Sequence, residues 1–354
     1  MPSLNFPAQL LRWFPRLQGL ALALLWAGGA WVSGGEAVPH FNPLGGKALA
    51  PETEAAFGCL LAGKEEEAYK AFEAAARKPG EHAAHFGLAL HERLRGRPQA
   101  ALAQAVQALL EGRSEPWAEV YLDLTEHLLR DARDPKPFTY AVQALVQDPN
   151  IRPYLKGRVQ HAYARWLLDA GRFEEAAQAL APLQYLNAWA LAGPFDNRDG
   201  AGFETEYEPE NKVDFEKPVH GRNRNVAWFH PRVTPFSGLV DLVQLFEPPT
   251  HSAAYGVTHV QVEQAQWAVM RVGAGGAVKV WLNEREVVQV GEYNDYVAEK
   301  AAAPVYLQKG WNQVLVKSAV VEETGWAFSV RLSKPEGGPV PGLARWRRRS
   351  SARR

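Results

Sequence analysis

One short pattern recurs along the first half of this 354-residue chain and limits what it can fold into. A glycine followed by a lysine or arginine stands just ahead of a helix-forming stretch with alanines three or four residues apart. Leu61-Ala62-Gly63-Lys64 precedes Glu67–Phe72, Leu94-Arg95-Gly96-Arg97 precedes Ala100–Ala105, and Asp169-Ala170-Gly171-Arg172 precedes Glu175–Leu180. A degenerate copy, Arg133-Asp134, precedes Tyr140–Leu145, and with Arg133 as its turn position the spacings are 33, 37 and 38 residues. Glycine tolerates the left-handed conformation that ends a helix, and alanine lets the following helix approach its partner closely. From Glu52 to Leu183 the chain is rich in Ala, Leu, Glu, Gln and Arg, all good helix formers. Prolines at 79, 98, 116, 135, 137, 149 and 153 break it into segments of ~10–18 residues, the length of packed helices. The expected structure is a stack of helical hairpins, with an ordinary alanine-rich bundle as the alternative.

This turn-and-helix pattern resembles tetratricopeptide repeats, whose period is ~34 residues. The resemblance covers about residues 50–185 in roughly four units. It implies an α-solenoid with a concave surface that takes a protein or peptide partner, and Tyr121, Tyr140, Tyr163 and Arg165 are the groove candidates. His82 and His85 share a helical face, but His91 lies off it. The three therefore lack the third ligand a zinc site needs.

After Tyr185 the pattern changes. Six of the twelve tryptophans lie between Trp189 and Trp326, and hydrophobic residues alternate. In Trp326–Leu332, Trp326, Phe328, Val330 and Leu332 fall on one face and Ala327, Ser329 and Arg331 on the other, a half-buried strand. Many such short strands, punctuated by Gly, Pro, Asn and Asp, argue for a β-sandwich. Trp189–Gly200 (WALAGPFDNRDG), Val278–Asn283 (VKVWLN) and Leu307–Lys317 (LQKGWNQVLVK) resemble the galactose-binding-like jelly roll found beside bacterial glycoside hydrolases, over about residues 186–335. Helical repeats followed by a W-x-x-x-G-P-F sandwich also resemble the N-terminal region of exported bacterial transglutaminase-like proteins. The only cysteine, Cys59, lies in the helical half, so that resemblance brings no catalytic residues. The fold class expected is a tetratricopeptide-like α-solenoid followed by a jelly-roll (galactose-binding-like) β-sandwich.

On the sandwich, Lys279, Trp281 and Asn283 share one strand face. If the opposite, aliphatic face is core, Trp281 is presented outward as a stacking surface for a sugar ring, with the amide and ammonium holding hydroxyls. The other reading makes Trp281 core, and Trp311 and Trp326 are expected in the core. Asp196, Asn197 and Asp199 form an oxygen-rich loop, a candidate for structural calcium, against the alternative of an Asx-type turn. Glu204, Glu206, Glu208 and Glu210 then read as a solvated acidic edge. No nucleophile elbow, phosphate loop or zinc-protease motif is present, so an enzyme is not expected. No cofactor is expected beyond that calcium.

The formal charge of zero, 39 basic against 39 acidic residues, conceals a division. Arg345 to Arg354 holds six arginines and no acid, while residues 36–344 carry 31 basic residues against all 39 acids. The neutral total argues against nucleic acid as partner. Arg12 and Arg16 followed by the uncharged Leu17–Val32 and small residues read as a signal peptide, with an uncleaved anchor as the alternative. The layout expected is a signal peptide (1–35), a linker (36–49), helical repeats (50–185), a sandwich (186–335) and a Pro/Gly-rich then arginine-rich tail (336–354). Export to the periplasm or cell envelope follows, with no integral span after cleavage. The expected function is a non-enzymatic scaffold or binding protein taking a protein partner and a glycan. The alternative is an accessory N-terminal portion of a transglutaminase-like or protease-like system.

Overall fold

The computed structural model of the protein describes residues 49–231, 238–322 and 325–345. The expected signal peptide, the linker up to residue 48 and the arginine-rich end of the tail from residue 346 lie outside them. No helix among the described residues is long and apolar enough to cross a membrane. The layout is α then β, as expected, and the chain divides into two compact units between Trp166 and Leu167.

The first unit holds α1 (Pro51–Leu61), α2 (Glu65–Ala75), α3 (His82–Leu94), α4 (Pro98–Glu111), α5 (Ala118–Leu129), α6 (Lys136–Gln147) and most of α7 (Pro153–Asp169). From α1 to α5 each helix packs on the next, and α4 also packs on α6. One continuous core runs through them, with Phe57, Phe72, Phe86, Leu102, Leu122, Phe138 and Leu155 buried. Buried Arg158 of α7 ties back to α5 through Asp123 at 2.7 Å and Glu126 at 3.2 Å. Desolvation raises the Glu126 pKa, against the pull of Arg158.

The recurring glycines close identical turns. Gly63, Gly96 and Gly171 all have left-handed φ, between 70° and 75°. In each turn the next residue's N–H reaches the carbonyl five residues back: Lys64 to Cys59 at 2.9 Å, Arg97 to Glu92 at 2.9 Å, Arg172 to Leu167 at 2.8 Å. The glycine N–H bonds the carbonyl three back, which completes a Schellman end. The basic residue's own carbonyl then accepts from Ala68, Ala101 or Ala176, each at 3.0 Å, starting the next helix on a fully buried alanine. The Arg133-Asp134 copy lacks glycine and is held differently. Gln99 of α4 donates to the Asp134 carbonyl at 2.7 Å and accepts from the Asp134 N–H at 2.9 Å.

The second unit begins with the end of α7 and α8 (Phe173–Leu180), then forms a β-sandwich. One sheet has the order β1 (Ala190–Asp196), β5 (Ser252–Val262), β10 (Gly310–Val320), β7 (Ala277–Leu282), β8 (Arg285–Val290), and β12 (Ala344–Arg345) also pairs with β5. The facing sheet has the order β4 (Val240–Asp241), β11 (Ala327–Ser333), β6 (Gln266–Ala274), β9 (Val297–Leu307). All pairings are antiparallel. The alternation read in Trp326–Leu332 sends Phe328, Val330 and Leu332 into the inter-sheet core, where Trp189 packs edge-on to Phe328 at 5.0 Å. Both core indoles are satisfied: Trp189 Nε1 donates to the Leu186 carbonyl at 2.9 Å and Trp326 Nε1 to Ser318 Oγ at 3.2 Å. Between β1 and β4 an insert carries α9 (Ala201–Glu204), α10 (Glu208–Asn211) and the hairpin of β2 (Val219–His220) and β3 (Asn225–Val226).

The three histidines of α3 do not form a metal site. His82 Nδ1 lies 2.7 Å from Tyr121 Oη, and His85 Nδ1 2.7 Å from Gln104 Oε1. His91 is fully buried beside the Tyr69 ring, and neither of its ring nitrogens has a hydrogen-bond partner. Burial first, then nearby Arg95, lowers the His91 pKa below the usual 6.5; burial also lowers that of His127. The unfolded chain therefore binds protons that the folded helices refuse, so stability is complete above ~6.5 and falls as pH drops below it. Thermal melts followed by circular dichroism should show this loss on acidification toward ~5, and His91→Leu should flatten it. An unchanged acid loss in that variant would acquit His91.

Candidate functional site

The outer face of the six-stranded sheet is half covered and half open. Strand alternation decides which side chains it carries. On β10, Val314 and Val316 enter the inter-sheet core, so Trp311, Gln313, Leu315 and Lys317 point outward. On β5, Val260 and Val262 point inward, leaving Tyr255, Val257, His259 and Gln261 outward. On β7, Lys279 and Trp281 point outward.

The insert covers the half nearest Lys317. Phe203 and Val219 pack with Tyr255, Val257, Leu315 and Trp281 in a second apolar cluster. Two lysines lie within this apolar contact, and the insert brings a carboxylate to each. Lys317 is 0% exposed, and its Nζ donates to Glu210 Oε1 at 2.7 Å and to the Thr205 carbonyl at 2.6 Å. Tyr255 donates its hydroxyl to the same Glu210 oxygen. Lys279 Nζ donates to Glu204 Oε2 at 2.8 Å and sits 4.7 Å from the Phe203 ring centre. Burial lowers the Lys317 pKa, and Glu210 opposes that shift by favouring the charged form. Gly202 permits the fold-back, since a Cβ there would lie 1.9 Å from the Asp196 carbonyl oxygen.

The other half is open. Trp311 is 54% exposed and pairs across strands with exposed Gln261. Two positions along, Gln313 pairs with His259, their Nε2 atoms 3.4 Å apart, and both are half-buried. Burial lowers the His259 pKa, so near neutral pH the imidazole carries no charge. The result is a flat indole beside two amides and a neutral imidazole on a rigid sheet. It offers an apolar surface together with uncharged donors and acceptors. On the outer face of the other sheet, Trp267 and Tyr306 are also exposed and meet edge-on at 5.3 Å. Their neighbours on that face include Val269 and Pro304, which supply no side-chain hydrogen bond.

The residues expected to form the sugar site are placed otherwise. Trp281 is only 9% exposed and belongs to the cluster under the insert. Lys279 is buried and engaged by Glu204. Asn283 closes a hairpin: its Oδ1 accepts from the Gln313 N–H at 2.9 Å and its Nδ2 donates to Asn312 Oδ1 at 2.9 Å. The aliphatic face of β7 is core, as the outward placement of Trp281 required. The sequence did not show that an insert covers the opposite face. Trp311, expected in the core, is exposed because its strand position alternates with buried Asn312.

The loop residues considered for calcium are committed elsewhere. The Asp196 carboxylate accepts from Arg198 at 3.0 Å and lies 3.4 Å from Arg222, while the buried Asn197 amide donates to the Val320 carbonyl at 2.9 Å. Asp199 is exposed, with left-handed φ of 56°. Among the described residues no group of three or more His, Cys, Asp or Glu stands close enough together to hold a metal ion. Of the acidic run, Glu204, Glu206 and Glu208 are exposed as a solvated edge, Glu204 also reaching Lys279, whereas Glu210 is half-buried against Lys317. Of the groove candidates, Tyr121 is buried against His82. Tyr163 is half-buried and stacked on Trp166, and Tyr140 and Arg165 are exposed.

No protein-family model matches the chain, and no curated protein matches it. Among solved structures, it is similar to a family 35 carbohydrate binding module from an environmental isolate, at 12% identity over 26% of this chain and 69% of that one, with a TM-score of 0.21. It is similar to a family 35 module from Clostridium thermocellum, at 12% identity over 42% and 96%, TM-score 0.19. A β-glucosidase from Kluyveromyces marxianus in complex with glucose matches at 12% identity over 41% of this chain and 16% of its own, TM-score 0.27. These likenesses are distant and partial.

Two substitutions probe the covered face and its flanking turn. Glu210→Ala strands the fully buried Lys317 and should cost about 3 kcal/mol, read as a lower urea midpoint with faster proteolysis within residues 196–230. Asn283 and Glu284 both have left-handed φ, 48° and 68°, in the two-residue turn between β7 and β8. Glycine suits such a turn, so Glu284→Gly should stabilise the sandwich by about 0.5–1 kcal/mol in the same measurement.

Proposed function

We propose that this is an exported, non-enzymatic binding protein. Its sandwich holds a glycan against Trp311, and its helical hairpins form a tetratricopeptide-like scaffold for a protein partner. The supporting observation is the exposed Trp311 indole flanked by Gln261, Gln313 and uncharged His259. A sugar ring has an apolar C–H face and a rim of hydroxyls. The indole takes the face by dispersion, and amides and imidazole, each able to donate or accept, take the rim. The site sits on strands, which fix the backbone of these groups, so binding orders side chains only. The repeated Schellman turns and the continuous helical core support the scaffold part.

A glycan array probed with the whole protein tests the reading. Trp311→Ala should weaken the best ligand by about tenfold or more, equivalent to about 1.4 kcal/mol. Trp267→Ala, on the opposite face, should leave it unchanged. Loss with Trp267→Ala but not with Trp311→Ala would move the site to the other sheet, and no glycan binding at all would overturn the reading.

A further inference from the structure

The open patch has a direction. β12 pairs with β5, placing Ala344 opposite Gln261, and Gln261 lies opposite Trp311 on β10. Ala344, Gln261 and Trp311 therefore form one row across three neighbouring strands, all exposed on the outer face. Two strand spacings put the Ala344 backbone ~10 Å from that of Trp311. Ala344 carries only a methyl group, so the row stays low beyond the indole. Arg345 does not enter it: the residue lies opposite core-facing Val260, and its Nη1 donates to the Tyr185 carbonyl at 2.7 Å.

A second row, Gln313 and His259, runs parallel to the first, two residues or ~7 Å further along the strands. The third row, Leu315 and Val257, is buried in the cluster under the insert. The patch is therefore a shelf. Trp311, Gln261 and Ala344 make its floor, an amide and an imidazole line one long side, and the insert stands behind them. Among the described residues no strand flanks either end. β7 leaves β10 at the Leu282–Val314 pair, short of Trp311, and no strand pairs with the far side of β12.

Such a shelf selects among glycans by shape and charge. With no strand across its ends it suits a stretch within a chain better than a chain terminus. Its low, straight floor suits rings that lie in one plane. Linkages that are equatorial at both ends keep successive pyranose rings coplanar, whereas an axial one turns the next ring away. The floor and its side carry no charge, and the exposed charges in the flanking turns are of both signs, Lys309 and Glu263, Glu284 and Arg285. We infer that the glycan is a neutral, equatorially linked polysaccharide of the gluco, manno or xylo series, bound within its chain and lying across the strands, one ring on Trp311 and the next over Gln261 and Ala344. Its hydroxyls on the insert side meet Gln313 and His259, each able to donate or accept. This deepens the glycan reading above and rests on it.

Calorimetric titration of the whole protein with cellohexaose, mannohexaose, xylohexaose and maltohexaose tests the inference. At least one of the first three should bind about tenfold or more tightly than maltohexaose, whose axial linkages curl the chain off the floor. Reducing the terminal ring of the best hexaose to its alditol should leave its affinity unchanged. Ala344→Ile, a β-branched residue suited to a strand, raises the floor and should weaken that hexaose by about tenfold with no change in melting temperature. Maltohexaose binding as tightly as the others overturns the inference, and so does loss of affinity on end reduction, which marks a reader of chain ends. Full affinity in Ala344→Ile puts the chain on another line and also overturns it. So does tighter binding of carboxymethyl-cellulose than of hydroxyethyl-cellulose, which marks a site for charged polymer. Each of these outcomes leaves the glycan reading standing, whereas failure of every sugar to bind sinks that reading itself.

Discussion

Two ammonium groups set the layout of the sandwich's outer face. Lys317 and Lys279 sit where the sheet would otherwise offer an apolar surface, and neither charge tolerates burial alone. Glu210 and Glu204, six residues apart in one insert, supply the counter-charges, and Tyr255 and the Thr205 carbonyl complete the coordination of the first pair. The insert thus docks at one place, with its aromatic residues over Trp281 and Tyr255. Its extent decides what remains uncovered: Trp311, Gln261, Gln313 and His259. Desolvation offsets much of the attraction in such a pair, but removing either partner leaves an uncompensated buried charge.

Much of the architecture was legible because it rests on local chemistry. A left-handed glycine leaves a mark at one position, and an alternating strand leaves one every second residue. The Schellman turns at Gly63, Gly96 and Gly171 and the core face of Phe328–Leu332 are therefore where the sequence put them. The site was less legible. Alternation put Trp281 and Lys279 on the non-core face of their strand, but a sheet face is not the same as a surface. Only the insert, distant in sequence, distinguishes Trp281 from Trp311, and nothing in either strand records that. The acidic run hides one exception for the same reason: Glu210 looks like its exposed neighbours Glu206 and Glu208 until the facing Lys317 is known. A signal was present in Lys279 and Lys317, each a charge at an outward position of a strand otherwise apolar.

The two faces of the sandwich also divide their polar groups differently. On the six-stranded sheet the buried charges are matched by a segment that folds over them. On the four-stranded sheet Glu299 joins Arg331 at 2.6 Å and Arg271 at 3.4 Å, linking β9, β11 and β6 side by side. The first arrangement fixes a covering segment and the second fixes strand neighbours. Both use a carboxylate as the hub, and both lie away from the inter-sheet core, which stays aliphatic and aromatic.

The glycine-free turn at Asp134 has a consequence for how the helices come together. A Schellman turn is closed by atoms of the two helices it joins, so the hairpins at Gly63 and Gly96 are locally complete. The turn between α5 and α6 is closed by Gln99, a side chain of the preceding hairpin. That turn keeps its own Lys136 N–H to Asp134 Oδ1 bond, but its backbone is satisfied in part from α4. The third hairpin is thus tied to the second by a side chain as well as by core packing. Damage at Gln99 would be felt one hairpin further along the chain than the residue itself.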